Sequence, residues 1–164
     1  MILGLSLEAF TLLHTLVSLV AIASGLAVLY GMLRSRRLPR LTSLFLSTTV
    51  LTSVTGFMFP SGAITPAAIV GIISLVVLAF ALLALYAFRL SGAWRWIYVV
   101  SAVLALYLNA FVLVVQAFQK VGFLHALAPN GSEPAFVVVQ SVVLLIFAWL
   151  GYQAVWNFRP VRSG

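Results

Sequence analysis

Long apolar stretches constrain this chain more than any other feature of its sequence. Several of them exceed the roughly 18 to 20 residues that a helix needs to cross the hydrocarbon core of a bilayer. Charged residues make up 7% of the 164 residues, whereas a soluble domain carries about 25%. The apolar stretches are continuous rather than alternating, which favours helices over the strands of a membrane barrel. The sequence therefore predicts an all-α integral membrane protein.

The stretches predict one domain, residues 1–164, built as a bundle of five transmembrane helices. The spans are expected at residues 6–33, 41–59, 66–88, 93–118 and 134–158. The first span is too long for the core of a signal peptide, and Glu8 stands where a signal peptide would carry basic residues. We therefore expect this span to be retained in the protein.

The basic residues predict the orientation of the bundle. Eight arginines fall on one side of a five-span arrangement, and Lys120 alone falls on the other. The arginines are Arg34, Arg36, Arg37, Arg40, Arg89, Arg95, Arg159 and Arg162. Because excess basic residues stay in the cytoplasm, the N-terminus is expected outside and the C-terminus inside. This topology accounts for the formal charge of +7, and without a soluble basic domain we expect no nucleic-acid partner.

Several kinds of chemistry are excluded by residue type. The chain has no cysteine, so it cannot form disulfides, thiolate metal sites or a cysteine nucleophile. It also lacks the G-x-S-x-G sequence of a serine hydrolase. We therefore predict no catalytic residues and a non-enzymatic function.

Polar side chains within the spans indicate a candidate binding site. At about 1.5 Å per helical residue, His14, Gln116, Gln140 and Thr55 fall at similar depths beneath the outer boundary, with Asn109 about 10 Å deeper. Such groups are unfavourable against lipid and should face the bundle interior. The pattern predicts an outward-opening polar pocket walled by the first, second, fourth and fifth spans.

The segment 120–133 is expected to cover this pocket. It contains Lys120, His125 and Glu133, which could gate the pocket or recognise charge on a ligand. A simpler interpretation also holds for two of them, because a lysine at a helix C-terminus and a glutamate at a helix N-terminus both complement the helix dipole.

The expected ligand is a small polar or amphipathic molecule, or a lipid or quinone headgroup. One alternative is a structural or accessory subunit of a larger membrane complex, with a membrane-protein partner or a second copy of the chain. Another is a metal- or haem-dependent redox protein that uses His14, His125, Glu8 or Glu133. Their positions match no recognised ligand spacing, so neither a metal nor another cofactor is favoured.

Three sequence segments carry a resemblance: LTSVTGFMFP, ALYLNAFVLVVQAFQK and LAPNGSEPAF. With them the chain resembles a family of small bacterial multi-pass inner-membrane proteins of uncharacterised activity. The resemblance implies a bacterial source and an inner-membrane location, and it supplies no mechanism. In topology alone the chain is similar to the tryptophan-rich sensory protein family. It lacks that family's tryptophan- and proline-rich motifs, so no tetrapyrrole-binding residues are carried over.

Overall fold

The computed structural model describes residues 2–61 and 64–160; Arg162 lies outside the described residues. Within these ranges the chain forms six α-helices, and a π-helical segment, Leu83–Ala87, continues the third. The helices are α1 (Leu7–Leu33), α2 (Pro39–Gly56), α3 (Pro66–Leu82), α4 (Trp94–Lys120), α5 (Gly122–Leu127) and α6 (Pro134–Asn157).

Four of these elements are long and apolar enough to cross a membrane: α1, α3 with its π-helical extension, α4 and α6. Their bounds differ from the predicted spans by no more than two residues. An all-α, multi-pass membrane architecture is therefore confirmed. The remaining long helix, α2, was expected at 41–59 and lies two to three residues earlier. Arg40 and a series of hydroxyl residues make it less apolar than the others.

The helix starts follow from local sequence. Ser6 caps α1 by accepting a hydrogen bond from the Ala9 N–H at 3.2 Å, and Thr65 does the same for α3 through the Ala68 N–H at 3.2 Å. Proline occupies the first turn of α2, α3 and α6. It is favourable there because its fixed φ suits a helix and its missing N–H would have no partner.

Helix α4 lies at the centre of the bundle and contacts α1, α3, α5 and α6, while α2 packs along α1 and α3. Small buried residues on α4, Ser101, Ala102 and Ala105, allow neighbouring helices to approach closely. By contrast, α6 buries only Gln140 and Ala154 of its own residues. It is the most exposed of the long helices.

A layer of tightly packed apolar side chains crosses the middle of the bundle, and we call it the apolar layer. It contains Gly25 of α1, Phe45 and Leu46 of α2, and Leu106 of α4. A Cβ atom on Gly25 would lie 2.6 Å from Leu106 Cδ1 and 2.9 Å from the Phe45 ring. Glycine is therefore required for this close approach of the three helices.

The arginine-bearing helix ends gather at one end of the bundle. One cavity there is lined by residues from the last turns of α1 and α6, the π-helical segment, and the first turns of α2 and α4. At the opposite end, His14 of α1 meets Thr55 of α2, and Phe118 of α4 meets Phe136 of α6. Consecutive long helices are therefore antiparallel, and we call the first of these ends the arginine end.

Candidate functional site

His14 joins α1 to α2 near the end of the bundle opposite the arginines. Its Nδ1 lies 2.8 Å from the Thr55 hydroxyl oxygen. The same hydroxyl lies 2.7 Å from the Leu51 carbonyl oxygen, which can only accept a hydrogen bond. A hydroxyl has one proton, so this arrangement favours Thr55 donating to Leu51 and accepting from the His14 Nδ1–H. In that tautomer of the neutral ring, Nε2 is an acceptor.

One aromatic ring packs directly against this histidine. The Phe59 ring contacts the His14 ring edge-to-face, with centroids 5.1 Å apart, and also packs 5.1 Å from the buried Phe10 ring. His14 is thereby half-buried. The apolar surround strengthens the His14–Thr55 hydrogen bond because it lowers the local dielectric.

The polar contacts continue inward along α2. Ser18 lies 3.5 Å from the Thr52 hydroxyl, and one turn deeper the Asn109 side-chain N–H₂ donates to the Thr49 hydroxyl at 3.2 Å. Thr49 is fully buried. From Thr55 to Thr49 the contacts span six residues of helix, or about 9 Å. We call this set the polar seam: His14, Ser18, Thr49, Thr52, Thr55 and Asn109.

Gln140 makes a separate contact on the other side of α4. Its Nε2 donates to the Phe111 carbonyl oxygen at 3.1 Å. Phe111 lies two residues beyond Asn109, which is about 200° around the helix. Within the described ranges, the buried Gln140 Oε1 has no hydrogen-bond partner. The structure thus brings three of the predicted residues, His14, Thr55 and Asn109, to one seam between α1, α2 and α4, and places Gln140 elsewhere.

The remaining uncharged and cationic residues of the predicted site lie toward the end of the bundle opposite the arginines. Gln116 is half-buried and, seven residues from Asn109, shares its face of α4. Lys120 is exposed in the last turn of α4, and His125 is exposed on α5. Ligand binding by these three residues stays a prediction.

Glu133 organises the turn that leads into α6. Its carboxylate accepts hydrogen bonds from the Asn130 backbone N–H at 3.0 Å, the Asn130 side-chain amide at 2.9 Å and the Ser132 N–H at 3.0 Å. These bonds, the Asn130 backbone N–H above all, lower the pKa of Glu133 below its ordinary value of 4.5. The side chain therefore points back into the turn rather than capping α6.

No three His, Asp or Glu side chains come close enough to hold a metal ion in the part of the chain that the structure describes.

Sequence reasoning missed three contributors to these contacts. Thr49 is one of many hydroxyl residues on α2, and the structure shows that it shares the buried side of this helix with Thr42, seven residues earlier. Phe59 was an apolar residue at the end of a span. Arg95 served in the sequence only to predict orientation, yet its guanidinium donates to the Val155 and Phe158 carbonyls at 2.9 and 2.7 Å and so caps the C-terminal end of α6.

Comparisons with protein-family models, with curated proteins and with solved structures found no match. The class of protein therefore follows from the fold. Four helices able to cross a membrane indicate a multi-pass α-helical membrane protein, and it carries polar contacts between α1, α2 and α4.

Proposed function

We propose that the chain crosses the inner membrane of a bacterium five times, with its N-terminus outside and its C-terminus in the cytoplasm. At 18 residues, α2 is about 27 Å long, close to the hydrocarbon thickness of about 30 Å. It packs along α1, which is itself long enough to span. The arginine end would face the cytoplasm.

We propose that the polar seam is a binding site for a small polar or amphipathic ligand that carries a hydroxyl or amine, such as a quinol or lipid headgroup. The observation that carries this proposal is the half-buried His14 ring, whose Nδ1 is occupied by Thr55. Its Nε2 then remains to accept a hydrogen bond from the ligand. Gln116, on the Asn109 face of α4, is positioned to extend the site toward the outside.

Charged groups near the mouth would add selectivity. Lys120, His125 and Glu133 all follow the outer end of α4 or precede α6. They would favour ligands with a charged or zwitterionic headgroup, while Gln140 would contribute only after a rearrangement between α4 and α6.

The proposed function is non-enzymatic, because the two seam hydroxyls nearest His14 already donate to backbone carbonyls. Ser18 donates to the His14 carbonyl at 2.8 Å, and Thr55 donates to the Leu51 carbonyl at 2.7 Å. A hydroxyl that gives its proton to its own helix is held away from a general base and is not an activated nucleophile.

A ligand-dependent thermal shift of the detergent-solubilised protein tests the site. A short-chain quinol and phosphatidylethanolamine are the donor-bearing probes, and the matching quinone, which cannot donate, is the control ligand. His14→Phe keeps an aromatic ring but removes Nε2, so it should weaken quinol binding by roughly tenfold, the equivalent of one hydrogen bond.

The matched control variant is Thr15→Val, which removes an exposed hydroxyl one residue away that donates only to its own helix. It should leave the shift unchanged. Equal stabilisation of wild type and His14→Phe by the quinol and by phosphatidylethanolamine would contradict the proposal.

A second candidate function is that of an accessory subunit in a larger membrane complex. The buried Gln140 Oε1 lacks a donor within the described residues, and it lies on α6, whose surface is mostly exposed. A partner helix packed on α6 could supply that donor after a small rotation of the side chain. Purification in a mild detergent tests this function: a stoichiometric partner supports it, and a stable ligand-binding monomer contradicts it.

A further inference from the structure

A cavity at the arginine end has the features of an anion site. Its volume is about 80 Å³. Arg36 and Arg37 lie at its exposed mouth, and the hydroxyl residues Thr42 and Tyr98, 6% and 2% exposed, line its interior. Apolar side chains complete the wall, among them Val28, Met32, Leu85 and Phe158.

The backbone that carries these arginines is held in place. After α1 the Arg36 N–H donates to the Gly31 carbonyl at 2.8 Å and the Ser35 N–H donates to the Met32 carbonyl at 3.1 Å. These are the two bonds of a Schellman motif, with Ser35 in the left-handed region at φ 55°. The Ser35 hydroxyl also accepts from the Arg159 N–H at 2.9 Å. The backbone at the mouth of the cavity is therefore preorganised.

The chain supplies no carboxylate side chain to neutralise this end. It has two acidic residues in all, Glu8 and Glu133, and both precede or begin helices at the opposite end of the bundle. Arg95 is satisfied by the carbonyls at the end of α6. Among residues 2–61 and 64–160, no side-chain or carbonyl acceptor is bonded to the Arg36 or Arg37 guanidinium, so an anion from outside the chain would complete the cavity.

The start of α2 adds to the positive electrostatic potential at this cavity. Leu38 stands at its N-cap and gives no side-chain hydrogen bond to the first turn. The N-terminus of a helix carries a partial positive charge and unsatisfied N–H groups, and here it borders the same cavity through Leu38 and Pro39.

We propose that this cavity binds the phosphate group of an anionic amphiphile in the adjoining membrane leaflet. Arg36 and Arg37 pair with the phosphate oxygens, which guanidinium groups recognise through two parallel hydrogen bonds. Tyr98 and Thr42 donate hydroxyl protons to the same group. The cavity volume of about 80 Å³ is several times the roughly 10 to 15 Å³ that one water molecule needs, so about one phosphate group can enter. The rest of the lipid remains in the bilayer beside Tyr86, a lining residue that is 59% exposed.

This site is independent of the polar seam, because it lies at the other end of the bundle and the apolar layer separates the two. Phe45 and Leu46 of the apolar layer stand on α2 between Thr42, in the cavity, and Thr49, in the seam. Failure of either proposal would leave the other standing.

The test measures phosphatidylglycerol binding to the full chain in dodecyl maltoside by native mass spectrometry. Phosphatidylcholine is the zwitterionic reference, and inorganic phosphate is the soluble competitor. The variant is the pair Arg36→Gln and Arg37→Gln. The matched control is the pair Arg40→Gln and Arg89→Gln, which removes the same charge from exposed residues at the same end that do not line the cavity.

Loss of the direct bonds from both cavity arginines to the phosphate should weaken phosphatidylglycerol binding by about 30-fold, and the control pair, which makes no such bond, should leave it nearly unchanged. Tyr98→Phe, which keeps the ring, should weaken it by about fivefold through one lost hydrogen bond. Millimolar inorganic phosphate that competes with the lipid would identify free phosphate as a second source of the same group. Equal losses in both double variants, or equal affinity for phosphatidylglycerol and phosphatidylcholine, would overturn the proposal.

Discussion

Replacing Gly25 by alanine tests the close contact on which the apolar layer depends. The added Cβ would lie 2.6 Å from Leu106 Cδ1 and 2.9 Å from two atoms of the Phe45 ring. Both neighbours are 1% exposed. Neither side chain can turn toward lipid, so α1 must move away from α2 and α4.

Two opposing effects set the size of the stability change in Gly25→Ala. Overpacking a well-packed core destabilises by about 1 to 3 kcal/mol, whereas alanine in place of glycine within a helix stabilises by about 1 kcal/mol. Because two buried neighbours are displaced at once, we expect the upper part of the first range. The free energy of unfolding should therefore fall by about 1 to 2 kcal/mol.

Gly71→Ala provides the matched control. A Cβ there would also come within 2.9 Å of a ring atom, in this case of Phe57. Phe57 is 43% exposed, so its ring can rotate outward. The helix-propensity gain should then dominate, and the variant should be as stable as wild type or more stable.

Reversible unfolding in mixed dodecyl maltoside and dodecyl sulfate micelles measures both variants. The reasoning would be refuted if Gly25→Ala were as stable as wild type, or if Gly71→Ala lost as much stability as Gly25→Ala.

Three further predictions concern hydrogen bonds. Thr49→Val keeps the side-chain shape but removes the oxygen that accepts the Asn109 hydrogen bond. A double-mutant cycle with Asn109→Leu should give a coupling free energy of about 0.6 kcal/mol. Additive effects of the two substitutions would contradict this hydrogen bond. Arg95→Gln removes two charge-assisted hydrogen bonds at the end of α6 and should speed amide hydrogen exchange there. Arg95→Lys should have an intermediate effect, because it keeps the charge but not the planar guanidinium. Unchanged exchange in Arg95→Gln would be inconsistent with this cap. Because the pKa of Glu133 is lowered by the Asn130 N–H and its neighbours, the turn before α6 is stabilised above pH 4.5 and loses that stabilisation as the pH falls through the lowered pKa. The protection factors of the amides in this turn, which correct for the intrinsic pH dependence of exchange, should fall on acidification in wild type but not in Glu133→Gln, and equal pH profiles of protection would contradict it.

The helix starts and ends were predictable because they depend on residues close in sequence. Pro66 and Pro134 mark the starts of α3 and α6, as expected. The predicted extent of α2 was less accurate, because the many hydroxyl groups of this helix weaken the apolar pattern that defines a span. The shared depth of His14 and Thr55 in the membrane was also predictable from the sequence, since depth depends only on counting residues from the helix ends.

The partners of the polar side chains were not predictable in the same way. Gln140 matched His14 in expected depth, yet it faces the other side of α4 and bonds to the Phe111 carbonyl. Rotation of a helix about its axis is decided by how its side chains fit those of its neighbours. Spacing within one helix carries no information on that fit.

The sequence by itself determined that this is a helical membrane protein, and it located four spans and the arginine-rich segments between them. It could do so because hydrocarbon acts on each helix separately, through its length and its polarity. Only the tertiary structure decided that the polar seam, the apolar layer and the arginine-end cavity follow one another along α2. These features arise where three or more helices meet, and which residues meet there depends on the mutual packing of helices far apart in the chain.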